Sequence, residues 1–202
     1  MSYSIIQPPF TLKFHEMSRD ELEPYRVWFH DVLPERLAEL TKEVNRTSGF
    51  ENWKPDLTPQ SLGSLGEWFA CQVQTRHSTS QEIEEIKSSL LFPIDVAGEE
   101  LTNRTFSLAM DIGMYLGQVV HQNVAGAWWD QPLNNEKFAD YGQPVIIGLA
   151  MGTPLNPVRI AVNLAYGIAR KQQDGRRLRE LYDIWVCPSP KSFRILTDKS
   201  VE

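Results

Sequence analysis

The residue with the strongest claim to chemistry is an acid set in the most apolar stretch of the chain. Residues 106–120 read Phe-Ser-Leu-Ala-Met-Asp-Ile-Gly-Met-Tyr-Leu-Gly-Gln-Val-Val, with Asp111 between Met110 and Ile112. A carboxylate taken out of water costs several kcal/mol unless a cation or hydrogen-bond donors meet it. Either Arg104 or Arg159 could be its partner, and the sequence does not say which. Three roles follow: a structural ion pair, a place at a ligand or partner surface, or a catalytic acid. The last needs a second titratable group with a shifted pKa. His121 and Glu136 are the distant residues that could supply one.

A second feature is the adjacent pair Trp128-Trp129, followed by Asp130. On a strand, neighbours point to opposite faces, so one indole can enter the core while the other anchors a partner. Tyr141, next to Asp140, can serve either packing or recognition. Arg170-Lys171 and Arg176-Arg177-Arg179 form the one basic cluster. It reads as a solvated face or an acid-binding surface. Interleaved aromatics and a positive overall charge, which nucleic-acid binding would call for, are missing.

Standard catalytic signatures are absent. There is no Gly-x-Ser-x-Gly elbow, no Gly-rich phosphate loop, no His-Glu-x-x-His and no Cys-x-x-Cys. Catalytic residues, metal ligands and cofactors are therefore expected to be none. Cys71 and Cys187 read as two buried free thiols of a reducing compartment, with a long-range disulfide as the alternative. The N-terminus lacks the basic start and apolar run of a secretory signal, and no stretch has the roughly 20 apolar residues of a membrane helix. The expectation is a cytoplasmic protein with no membrane partner.

These residues need a scaffold. The chain has 202 residues, 42% hydrophobic and 23% charged, enough for one packed domain and unlike a disordered chain. The net charge of −6 argues against a general phosphate-backbone binder. Charge is also uneven: residues 1–101 hold 17 acids and 9 bases, residues 102–202 hold 9 and 11. The acidic half could meet a basic partner or be solvated helix surface.

Residues 1–9 read as a loose arm. Phe10 to His15 alternates as a strand would, and is expected to pair with a strand at 144–149. Ser18 and Glu21 form a capping box, followed by an apolar stripe Leu22, Tyr25, Phe29, Val32. Pro34 is expected to kink this helix or open the next, with Leu37, Leu40 and Val44 continuing the stripe. Thr58-Pro59 opens a second helix, 74–82 reads as a loop, Glu82–Leu91 as a short helix and Phe92–Val96 as a strand or extended link. Residues 106–120 are a buried helix, with strands at 127–129 and 144–149. Asn156-Pro157 opens another helix ended by Asp174-Gly175, and 176–185 is the last. The tail frays at 196–202. Gly113 and Gly117, four apart, each cost about 1 kcal/mol of helix propensity, which close approach of another element would offset. Leu65-Gly66-Glu67-Trp68-Phe69 and Ile112-Gly113-Met114-Tyr115-Leu116 share a residue order at an offset of 47, with chance or a tandem repeat as the two explanations.

The segments Asp111-Ile112-Gly113-Met114-Tyr115-Leu116-Gly117, Trp128-Trp129 and Tyr141-Gly142-Gln143-Pro144-Val145 resemble an uncharacterised bacterial protein family of similar size, some of whose members look like immunity-type proteins of toxin systems. The resemblance covers residues 105–165 and carries no catalytic residues. It implies a small cytoplasmic protein that binds and neutralises or regulates another protein.

The sequence thus predicts a single α+β domain of five or six helices with a small, mostly antiparallel sheet. The expected function is non-catalytic protein binding. Asp111, Tyr115, Trp128, Trp129 and Tyr141 form the candidate contact region, the first two supporting it from behind. A small hydrolase or transferase with a site assembled from distant residues, and a homo-oligomeric structural protein, are the alternatives.

Overall fold

The computed structural model describes residues 3–89 and 98–187. Helix α1 spans Arg19–Asn45, α2 Ser61–Gln72, α3 Ser80–Ser89, α4 Asn103–Asn123, α5 Pro157–Ala169 and α6 Arg177–Val186. Strands β1 (Thr75–His77) and β2 (Glu99–Leu101) form one antiparallel ribbon, and β3 (Trp128–Asp130) and β4 (Val145–Ile147) a second. The described residues form a single α+β domain with six helices and short antiparallel strands. None of the described helices is long and apolar enough to cross a membrane.

Helix α4 is the axis of the domain. Thr102 caps it, its side chain accepting from the Thr105 N–H. From Ser107 to Val120 every residue but Gln118 is buried, so the stretch is wrapped by neighbours on all sides. Helix α5 lies tightest against it. A Cβ at Gly113 would sit 2.5 Å from the Val158 Cα, and one at Gly117 would meet the Trp129 ring at 2.3 Å. The expected close approach is thus made by two different elements. Gly66 on α2 does the same work for the start of α6, where a Cβ would lie 2.0 Å from the Gly175 oxygen. The two similar segments therefore share a packing role.

Helix α1 carries the apolar stripe, but its register differs from the expected one. The buried positions are Leu22, Tyr25, Phe29, Leu33, Arg36, Leu40 and Val44, a steady three-and-four spacing. Val32 and Leu37 flank that row half-buried. Pro34 neither ends nor restarts the helix, which runs unbroken through Pro24 and Pro34. A proline inside a helix removes a backbone bond and costs about 3 kcal/mol. Core contacts on both sides of Pro34 offset it.

Several expectations are corrected. Residues 10–15 are irregular and turn-forming rather than a strand, and β4 pairs with β3. The polar stretch 74–82 is not a loop: β1 and the start of α3 occupy it. Helix α2 begins at Ser61, because Thr58 closes a turn onto Asp56 instead (N to Oδ1 2.9 Å). Cys71 and Cys187 are free but exposed. The N-terminal arm is not loose where it is described. Tyr3 is 7% exposed, and the arm's backbone is bonded to Glu39 and Ser107. The expected strand at 92–96 and the tail at 196–202 lie outside the described residues.

Candidate partner-binding site

Asp111 is fully buried and answered by α1 and the N-terminal arm, not by Arg104 or Arg159. The Arg36 guanidinium grips it with two bonds, Nε to Oδ1 and Nη2 to Oδ2, each 2.8 Å. The Tyr3 hydroxyl donates to Oδ2 at 2.5 Å and accepts from Arg36 Nη2 at 2.8 Å. Arg36 Nη1 reaches the Ser4 carbonyl at 2.9 Å, and the Ser107 hydroxyl lies 2.8 Å from Tyr3 Oη. Burial pushes the Asp111 carboxyl up, with Arg36 and Tyr3 pulling against it. Burial and then the Asp111 charge push the Tyr3 phenol well above its usual range. Both charges are paired and the donors are used, as a buried ion pair requires. Arg104 instead pairs with Glu43 at 2.8 Å, and Arg159 with Asp140 at 2.9 Å.

Arg36 is the residue that sequence reasoning missed. Its signal was present: a cation in the apolar row of α1, between Leu33 and Leu40 at core spacing. Tyr3 carried no such signal, because its place depends on an irregular arm.

Tyr115 is one turn along α4 from Asp111 and belongs to a different network. Its hydroxyl lies 2.6 Å from Ser61 Oγ and accepts from the Leu57 N–H at 3.2 Å. Burial raises its pKa. His121, ten residues beyond Asp111 and about 15 Å along the helix axis, is exposed, its Nδ1 2.8 Å from the Ala127 carbonyl. Glu136 is exposed too, and its carbonyl meets the His15 ring at 2.8 Å. Neither approaches Asp111 as a second titratable group. Among the described residues, no cluster of three or more His, Cys, Asp or Glu side chains could hold a metal ion.

Trp129 and Tyr141 are brought together in one apolar cluster with Leu22, Phe29, Met110 and Met114. The Trp129 ring meets Phe29 edge-on at 5.4 Å and His30 at 5.8 Å. Tyr141 is buried beneath the stacked ring of His15.

Trp128 alone of the five stands outside, with 50% of its surface exposed. It is nevertheless held. The β3–β4 register pairs it with Ile147, and its ring rests against Gly148. Gly148 has a φ of +83°, and a Cβ there would lie 1.9 Å from the Gly126 oxygen and 2.9 Å from Trp128 Cζ3. Only glycine fits this backbone and this approach. The two adjacent tryptophans are therefore each seated on a glycine, Trp129 inward on Gly117 and Trp128 outward on Gly148. The five candidate residues do not make one surface: four are structural interior or half-interior, and one is a mounted, open aromatic.

In the basic cluster, Arg176 pairs with Asp174, Arg177 with Glu180 and Arg179 with Asp183.

A six-helix α+β domain with a solvent-facing indole on a short ribbon is the class that the fold and site define. Compared with family models, curated proteins and solved structures, the chain matches none of them.

Proposed function

We propose that the chain is a non-catalytic protein-binding protein that neutralises or regulates another protein in the bacterial cytoplasm, with Trp128 as the anchor of the contact. The observation that carries this reading is that Trp128 is half exposed while its ring lies directly against the Gly148 backbone, where a Cβ would come within 2.9 Å of Cζ3. A large aromatic held rigid loses little side-chain freedom on binding, and such residues dominate interface energies. Trp129 and Tyr141 serve the reading as the interior behind the ribbon, while Asp111 holds α1 and the N-terminal arm to α4 and Tyr115 holds the start of α2.

A basic partner fits best. The outer row of α1 presents Asp31 and Glu35 beside exposed Val27, and Asp130 follows the tryptophans. Such a surface raises the encounter rate with a cationic protein.

The test is affinity capture from a bacterial lysate with the tagged protein and with Trp128→Ala, followed by mass spectrometry. One stoichiometric partner on the wild type, surviving moderate salt and lost on the variant, is the expected result. Capture of nothing, or equal capture by both, would overturn the reading.

A further inference from the structure

Trp128 and Asp130 are two residues apart on β3, so their side chains leave the same face of the strand, about 7 Å apart along it. Both are exposed, while Trp129 between them turns inward. The strand thus presents an open indole beside a carboxylate.

That carboxylate is unclaimed. Among the described residues no cation makes an ion pair with Asp130. Arg26 is near enough to feel its charge. Yet the Arg26 guanidinium is committed to Glu23, with Nη2 to Oε1 at 2.5 Å and Nε to Oε2 at 3.1 Å. A cation brought from outside therefore finds two attractions at one place: the negative face of an indole, which is the strongest side-chain π partner, and a free acid. A guanidinium suits both, because it is planar enough to stack and forked enough to bond a carboxylate.

Resting on the protein-binding reading above, we propose that the partner inserts an arginine side chain over Trp128 with its charge on Asp130. Trp128 supplies the stacking surface, Asp130 the counter-charge, and Gly148 the fixed position of the ring.

The probe is the tripeptide acetyl-Gly-Arg-Gly-amide, compared with its citrulline counterpart, which keeps the shape and removes the charge. The readout is the indole N–H spectrum of the ¹⁵N-labelled full chain, with the Trp128 signal identified by its loss in Trp128→Phe. The arginine peptide is expected to shift that signal in a concentration-dependent way over roughly 10–100 mM, at constant ionic strength. Asp130→Asn should weaken the binding about threefold, in line with the modest strength of exposed cation–π and ion-pair contacts. The citrulline peptide should leave the signal in place. Equal shifts with both peptides, no shift with either, or an unchanged affinity in Asp130→Asn would overturn the arginine assignment. The two levels separate cleanly. If Trp128→Ala loses the captured partner while the arginine peptide is inert, the arginine assignment falls and the docking surface stands. If Trp128→Ala keeps the partner, the docking surface falls and the arginine assignment with it.

Discussion

The centre of α4 and the β3–β4 ribbon both carry residues that look out of place, a buried acid in one and an exposed indole in the other. Their surroundings differ in kind. Around Asp111 each oxygen has a donor, supplied by Arg36 and Tyr3 from two other parts of the chain. Trp128 has the Gly148 backbone beneath its ring and Ile147 across the ribbon, and half of the residue faces water. An unusual residue whose needs are met inside the molecule is holding the fold. One whose needs are left open, but whose position is fixed, is available to something else.

The sharpest way to break this contrast is at Asp111. Asp111→Ala leaves the Arg36 guanidinium buried without its anion and should cost about 3–5 kcal/mol of unfolding free energy. The double replacement Asp111→Leu with Arg36→Met should recover most of that, since the charges are removed together. Urea unfolding of the three proteins checks both. A double variant as unstable as the single would mean that the network holds more than its own charges.

Next in size is the α4–α5 contact. Gly113→Ala places a methyl 2.5 Å from the Val158 backbone, which cannot move as a side-chain tip can. Overpacking of this kind costs about 1–3 kcal/mol. A midpoint within error of wild type in the same urea experiment would mean that α5 slides freely on α4.

A smaller effect should appear with pH at the seam between α1 and Trp129. Burial, then the Arg26 charge, hold His30 below its ordinary value near 6.5, with Asp31 pulling the other way. Above that value the ring is neutral in both folded and unfolded chains. As pH falls through 6.5 the unfolded chain takes up the proton first, so stability declines until the folded His30 is protonated in turn. His30→Phe should flatten this limb of the curve between pH 7.5 and 5.5, measured by urea midpoints. A wild-type limb of equal slope in His30→Phe would place the acid sensitivity elsewhere.

The smallest effect on stability is expected where the largest effect on binding lies. Trp128→Ala should change the unfolding free energy by about 1 kcal/mol, the worth of the half of the side chain that is buried, while abolishing partner capture. A loss of more than about 2 kcal/mol in a calorimetric or urea measurement would mark Trp128 as structural and erase the contrast.

Much of the scaffold was legible. The capping box at Ser18 and Glu21, the Asn156 cap before Pro157, and the buried helix at 106–120 are all present. These depend on residues within a turn or two of each other, and local spacing reports them. The β1–β2 ribbon was not legible: its strands are three residues long, too short for an alternating pattern, and are made by pairing across α3. The loose arm and the strand at 10–15 failed for a related reason. Tyr3 is ordered by groups 33 and 108 residues away, and nothing within the arm announces them.

The same division runs through the candidate site. The sequence by itself determined that Asp111 must be paired if it is buried, that Gly113 and Gly117 cost helix propensity which a close neighbour would offset, and that adjacent tryptophans on a strand must face opposite ways. Each follows from side-chain chemistry and the period of the local backbone. Only the tertiary structure decided that the partner is Arg36, that α5 and Trp129 fill the two glycine positions, and that Trp128 is the indole turned to solvent. Those choices depend on how separate elements meet. The free energy that selects among them comes from burial and charge pairing between residues far apart in the chain, which no local pattern encodes.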